Sequence, residues 1–178
     1  MDRNELISTL LPKNLKWAEL GVFTGDFSHE IWTRTQPSKL YLVDIFPKKM
    51  DSGDKDGLNK RVLDLRDIPK QLKKSFNNKN VEIITAKTVD FLVSMHKNKE
   101  SLDAVYIDAS HKYDSVKADL EWSMKVVQPG GYILGHDYHD KRFPGVVRAV
   151  KEFCKEHSLK IEVLSTDALP TYMIVKRK

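Results

Sequence analysis

The sequence predicts an α/β fold, a seven-stranded mixed sheet that is mostly parallel with its last strand antiparallel, and with helices on both faces. Three observations carry this reading. Short apolar runs alternate with segments of helical spacing, the pattern of parallel strands joined by crossover helices. The first two runs end abruptly at Gly21 and Asp44, as strands do when they reach a ligand crevice. The last two runs are separated only by residues 165–170, too few for a crossover helix, so they pair as an antiparallel hairpin.

Residues 1–15 form a short helix or arm ahead of the sheet. Trp17-Ala18-Glu19-Leu20 is the first strand and Leu40-Tyr41-Leu42-Val43 the second. Further strands follow at 81–85, 103–107, 131–135, 160–164 and 171–175. Tyr113, Val116, Leu120, Met124 and Val127 recur at three- and four-residue steps, one apolar stripe on a helix that stops before Pro129-Gly130-Gly131. Val146, Val150 and Phe153 repeat the pattern after Pro144-Gly145. Residues 51–57 look like a calcium loop, but alignment to that motif puts Ser52 at the first ligand position and Leu63 where the bidentate Glu belongs. The segment reads instead as a mobile surface loop able to act as a lid.

The 178 residues, 40% of them hydrophobic, suffice for a single domain whose core spans residues 16–178. No apolar run approaches the ~18 residues of a membrane span. The charged start, Met1-Asp2-Arg3-Asn4-Glu5, is followed by no apolar signal segment, so a cytoplasmic location is expected. A lone Cys154 excludes an intrachain disulfide and, beside Val150 and Phe153, reads as a core thiol. The net charge of +5 comes mostly from scattered lysines rather than a basic stripe with aromatics, which argues against a nucleic-acid partner.

In an open parallel sheet, ligands sit outside the carboxyl ends of the strands. There the first strand runs into Glu19-Leu20-Gly21-Val22-Phe23-Thr24-Gly25, an E-x-G-x-x-x-G turn opening a helix. Gly21 permits the tight turn, and Gly25 lets a ligand or the next helix come close to the backbone. A dinucleotide turn would carry a second glycine two residues after Gly21. Phe23 stands there instead, which disfavours a pyrophosphate and with it a nicotinamide oxidoreductase. Glu19 repels phosphate but attracts an ammonium or sulfonium group. Asp44, 23 residues after Gly21, lies at the distance where an acid accepts hydrogen bonds from ribose hydroxyls. Together these residues describe a phosphate-free nucleoside carrying positive charge, and S-adenosylmethionine fits.

The turn, the second-strand acid and the terminal hairpin resemble the class I S-adenosylmethionine-dependent methyltransferases, whose Rossmann-like sheet usually runs 3-2-1-4-5-7-6 with strand 7 antiparallel. The resemblance implies that Glu19, Gly21 and Gly25 line the methionine end and that Asp44 binds the ribose. It puts Ala86 and Lys87 on the adenine side, where many relatives carry an acid or amide. Lys87 departs from that pattern and leaves adenine recognition open.

A richer cluster lies further along the chain. Asp108 ends the fourth strand and His111 follows in the loop, while His136-Asp137-Tyr138-His139 ends the fifth. Neighbouring strands run about 4.8 Å apart, so Asp108 and Asp137 converge. Two carboxylates there repel unless a cation, a shared proton or a substrate amine compensates. The economical choice is Mg²⁺ or Mn²⁺ held by Asp108 and Asp137, with His136 as an optional imidazole. His111 then takes the acceptor's proton near neutrality. Asp108 has a second option, a hydrogen bond to the cofactor's amino group.

The run D-x-x-H-x-Y from Asp108, then Val116, Asp119, Leu120 and Trp122, then P-G-G and G-H-D-Y, resembles the macrocin-type and glycan-associated O-methyltransferases over residues 16–157. It implies O-methylation of a sugar or small hydroxylated molecule, with Asp108 and Asp137 as metal ligands and His111 as base. The macrolide-sugar enzymes often carry two acids where this chain has His136-Asp137, so metal dependence rests on less than cofactor binding does. They also carry extra N-terminal elements around the acceptor. Here the pocket is expected to be open or completed by a second copy of the chain, with Tyr113, Tyr138 and His139 as rim contacts. Two other readings stay open: a metal-independent O- or N-methyltransferase, and a non-catalytic module holding RNA.

Overall fold

The computed structural model describes residues 1–52 and 61–177. Along them the chain runs α1 (Arg3–Leu10), β1 (Lys16–Leu20), α2 (Asp26–Thr35), β2 (Lys39–Asp44), β3 (Met50–Ser52), β4 (Arg61–Leu63), α3 (Ile68–Phe76) and β5 (Val81–Thr85). It continues α4 (Thr88–Lys97), β6 (Leu102–Ile107), α5 (Tyr113–Val126), β7 (Val127–Gly135), α6 (Pro144–Glu156), β8 (Ile161–Leu164) and β9 (Tyr172–Val175). The main sheet has the order β5-β2-β1-β6-β7-β9-β8, with β9 antiparallel to both its neighbours. With the small β3–β4 hairpin set aside, this is the 3-2-1-4-5-7-6 arrangement implied by the family resemblance.

Side-chain alternation sends successive strand residues to opposite faces. In β1, Trp17 joins the core made with Leu6 and Ile7 of α1, Phe27 and Ile31 of α2 and Leu72 of α3. Ala18 and Leu20 join the opposite core, with Leu92 of α4, Leu120 of α5 and Val150 and Phe153 of α6. Cys154 lies buried in this second core, as its neighbours suggested. Helix α1 is started by a capping box: Asp2 Oδ1 accepts from the Glu5 N–H at 2.8 Å, and Glu5 Oε2 accepts from the Asp2 N–H at 2.9 Å. Among the described residues, no helix is long and apolar enough to cross a membrane.

Two elements differ from the expectation. Strand β7 begins at Val127 rather than at residue 131, because Val127 pairs with Leu102 while Tyr132 pairs with Ala104. Residues 128–131 are absorbed as a bulge. Gly131 makes it passable, since a Cβ there would stand 2.6 Å from the Asp103 carbonyl oxygen. The β3–β4 hairpin, with Met50 opposite Leu63, was not anticipated. The loop expected at 51–57 overlaps β3 at Asp51 and Ser52 and otherwise lies outside the described residues.

The α5–α6 layer depends on Phe153, which is fully buried. Phe153→Ala should lower the unfolding free energy by about 3–5 kcal/mol, measured by urea titration.

Candidate active site

The carboxyl ends of β1, β6 and β7 are tied together by backbone hydrogen bonds. The Asp108 N–H donates to the Leu20 carbonyl at 2.8 Å, and the His136 N–H donates to the Ile107 carbonyl at 3.0 Å. Gly21 turns the chain out of β1 with a φ of +92°, and a Cβ on it would stand 2.2 Å from the Asp108 carbonyl oxygen. Two independent constraints therefore demand glycine. At Gly25, with a φ of +89°, the close neighbour is Leu72 of α3, whose Cδ2 would lie 2.3 Å from an added Cβ. The close approach at Gly25 is thus made by α3, a later helix, and not by α2, which the turn opens.

Glu19 is 1% exposed and accepts a hydrogen bond from the Ser28 hydroxyl. Burial pushes its carboxyl up to about 8; Asp108 and Asp44 add to the rise, and Ser28 and Arg3 oppose it. Asp44, at the end of β2, turns inward on the glycine turn. Its Oδ2 accepts from the N–H groups of Val22 (2.8 Å) and Phe23 (3.0 Å), and its Oδ1 from Phe46 (2.8 Å). The acid expected to meet a ribose thus also shapes the turn, which explains how non-glycine Phe23 holds a φ of +54°. Ala86 is bound to the same place through its N–H to the Asp44 carbonyl (3.0 Å), whereas Lys87 is exposed at the start of α4.

Asp108, His111 and Asp137 come together, with one ligand atom from each lying within 4.8 Å of the others. His111 Nε2 stands 2.6 Å from Asp137 Oδ2, and His136 Nδ1 stands 3.2 Å from Asp137 Oδ1 and 3.7 Å from Asp108 Oδ2. Burial pushes the Asp137 carboxyl up, but the hydrogen bonds and charges of both imidazoles outweigh it and hold the group below the usual carboxylate range. Asp108 is raised, chiefly by burial, with partial relief from His136. His111 is raised by its hydrogen bond to Asp137. Its ring packs on Phe143, with centroids 4.1 Å apart. Gly145 lets the start of α6 come this close, since a Cβ there would stand 2.6 Å from the His111 carbonyl oxygen.

The expected rim residues are dispersed. Tyr113 gives its hydroxyl to Glu152 of α6, away from the cluster. Tyr138 packs edge-on against Tyr172, with ring centroids 5.9 Å apart. His139 accepts from the Arg142 N–H at 3.2 Å and shapes the turn into α6.

Two residues escaped the sequence reading. Ile45, directly after Asp44, is 56% exposed; an apolar residue directly after the strand-end acid was its only signal in the sequence. The Tyr172 hydroxyl is buried without a hydrogen-bond partner among the described residues and backs a cavity of about 10 Å³ shared with Asp108, His111, His136 and Asp137. Tyr172 pairs with Gly135 across β7–β9, a juxtaposition with no local sequence signature.

Glu19 makes stability depend on pH in a definite direction. Its folded pKa of about 8 exceeds the ordinary 4.5, so the folded state keeps a proton that the unfolded chain releases. Its contribution to stability therefore falls as pH rises across that interval, by up to about 1.4 kcal/mol per pH unit. In urea titrations of the ligand-free protein, Glu19→Gln should remove this loss and be more stable than wild type near the top of the interval.

A family model described as a methyltransferase domain matches residues 18–138. An uncharacterized protein of Acanthamoeba polyphaga mimivirus is 27% identical over 150 residues, covering 83% of this chain; the chain spans 62% of that relative's length. The N-methyltransferase NodS of Bradyrhizobium japonicum, in complex with S-adenosyl-L-homocysteine, matches with a TM-score of 0.65 at 13% identity, covering 99% of this chain and 83% of its own. Aeropyrum pernix fibrillarin with natively bound S-adenosyl-L-methionine gives 0.65 at 14% identity, covering 97% and 73%. An O-methyltransferase family protein from Burkholderia thailandensis gives 0.64 at 13% identity, covering 98% and 55%. At these identities the solved structures share the fold, while the family model covers most of the sheet and the clustered acids. The chain belongs to the methyltransferase-domain family, and its sheet is the fold it shares with these solved methyltransferase structures.

Proposed function

We propose that this chain is an S-adenosylmethionine-dependent methyltransferase acting on a hydroxyl of a small acceptor such as a sugar, with His111 as general base and a divalent cation at Asp108 and Asp137. The observation that carries the reading is the cluster of two carboxylates and two imidazoles beside the glycine turn. Its oxygen-rich composition suits Mg²⁺ or Mn²⁺, and the sequence resemblance to macrocin-type enzymes supports the hydroxyl acceptor. Asp108 and Asp137 are common to both possible ligand sets, and His111 or His136 supplies the nitrogen. The side chain of His111 is 44% exposed and that of His136 15%, so His111 is the imidazole that meets the acceptor.

When bound, the cofactor supplies a methyl group already activated on sulfonium, and a cation would lower the pKa of the acceptor hydroxyl. The protein's task is positioning and deprotonation. Asp137 engages His111 Nε2, leaving Nδ1 to take the hydroxyl proton, and Phe143 fixes the ring plane. Glu19 faces the cationic end of the cofactor. Asp44 accepts from ribose hydroxyls with the lone pairs not used by the turn, and Ile45 offers a face to the adenine. A second reading is favoured by the 2.6 Å His111–Asp137 contact: a His–Asp pair that deprotonates without metal, on oxygen or nitrogen.

Calorimetry with S-adenosylmethionine should show Asp44→Ala weakening binding roughly 10- to 100-fold, while Asp137→Ala leaves it within experimental error. Equal loss in both variants would mean the roles are misassigned. In an acceptor screen, turnover should vanish after exhaustive EDTA treatment and return with Mg²⁺ or Mn²⁺. Undiminished turnover in chelator would leave the metal-free His–Asp reading standing.

A further inference from the structure

Helix α1 lies outside the span matched by the family model, yet it places a cation over the floor of the crevice. Glu19 and Tyr106 are direct partners across β1–β6, so their side chains rise side by side on the α1–α2 face of the sheet. Phe27 of α2 packs on Tyr106 with ring centroids 4.4 Å apart, and Ser28 caps Glu19. Over this group lies Arg3, its guanidinium carbon 4.4 Å from the centre of the Phe27 ring.

The position of Arg3 is set by the main chain. Its N–H donates to Asp167 Oδ2 at 2.8 Å, and the Met1 carbonyl accepts from the Thr166 N–H at 2.9 Å, both in the β8–β9 loop. The charge of Arg3 opposes the burial of both Glu19 and Asp108. Even so, no ion pair closes between Arg3 and either acid among the described residues. An acid and a base are thus held near one another without neutralising each other.

We propose that Arg3 binds the α-carboxylate of the cofactor's amino-acid end, forming with Glu19 a pair that recognises its zwitterion. The chemistry is complementary. The methionine end carries an ammonium and a carboxylate on one carbon, and the acids of the crevice answer only the cationic part. A guanidinium held over Phe27 keeps its N–H donors, in a fork that matches a carboxylate. The proposal rests on the cofactor reading and is independent of the acceptor and of the cation.

The test compares S-adenosylmethionine with its decarboxylated analogue by calorimetry on wild type, Arg3→Gln and Arg3→Lys. Wild type should prefer the carboxylated ligand by about 10- to 100-fold. Arg3→Gln should erase that preference by weakening S-adenosylmethionine alone, and Arg3→Lys should restore part of it. Leu6 and Ile7 keep α1 docked in the core independently of Arg3, so Arg3→Gln should remain folded, with a single cooperative thermal transition and decarboxylated-analogue binding equal to wild type as the control. Equal weakening of both ligands, or an unchanged preference, would overturn the proposal. Wild type binding neither ligand would count against the cofactor reading instead.

Discussion

The site hangs on one backbone contact, the approach of Gly21 to Asp108. Strands β1 and β6 are parallel neighbours, and the chain leaves both at the same level, so the turn after β1 must pass against the carbonyl of Asp108. Only a residue without a side chain, able to adopt a positive φ, fits there. Given that contact, the Asp108 N–H meets Leu20 and the His136 N–H meets Ile107, and the loops after β1, β6 and β7 are stitched in series. Glu19, Asp108, His111, His136 and Asp137 are carried into one crevice by backbone geometry, before any side chain interacts with another.

The acids brought together this way do not share one fate. Glu19, at the floor, has its Ser28 hydrogen bond and the Arg3 charge against burial, which outweighs both and pushes its carboxyl up. Asp137 is also buried, but two imidazoles donate to it and its carboxyl is held down. Environments that drive like groups apart let one crevice hold a near-neutral acid and a firmly ionised one a short distance apart. A cation arriving beside Glu19 favours its charged form again, so the floor answers to a positively charged ligand. The mouth stays negative and oriented by histidines. Binding and proton handling are thereby separated within a single row of strand ends.

Much of this was legible in the chain. Asp44, Asp108 and Asp137 follow apolar runs of strand length and Glu19 is the penultimate residue of another, and in a parallel sheet such positions share one edge, so their convergence follows from the pattern. The strand boundaries that shifted did so where backbone pairing overrode local signals. Pro129-Gly130-Gly131 looks like a terminator, yet the pairing of Val127 with Leu102 extends β7 through it. Tyr113 was read as a rim residue because it closes a motif with His111. Its helix start turns the hydroxyl toward Glu152, a partner 39 residues away.

What the sequence by itself determined is the order of strands and helices, the glycine turn and the identity of the acids at the strand ends, because these depend on periodicity and on residues close in the chain. Tertiary structure alone decided that Tyr172 stands behind the acid cluster, that Asp44 braces the turn it was expected only to border, and that Arg3 lies over the Phe27 ring. Each of those contacts joins segments brought together by sheet pairing or helix docking. The physical reason is that a side chain's partners across strands are set by register and by the path of the backbone between them, and neither is written in the spacing of residues along the chain.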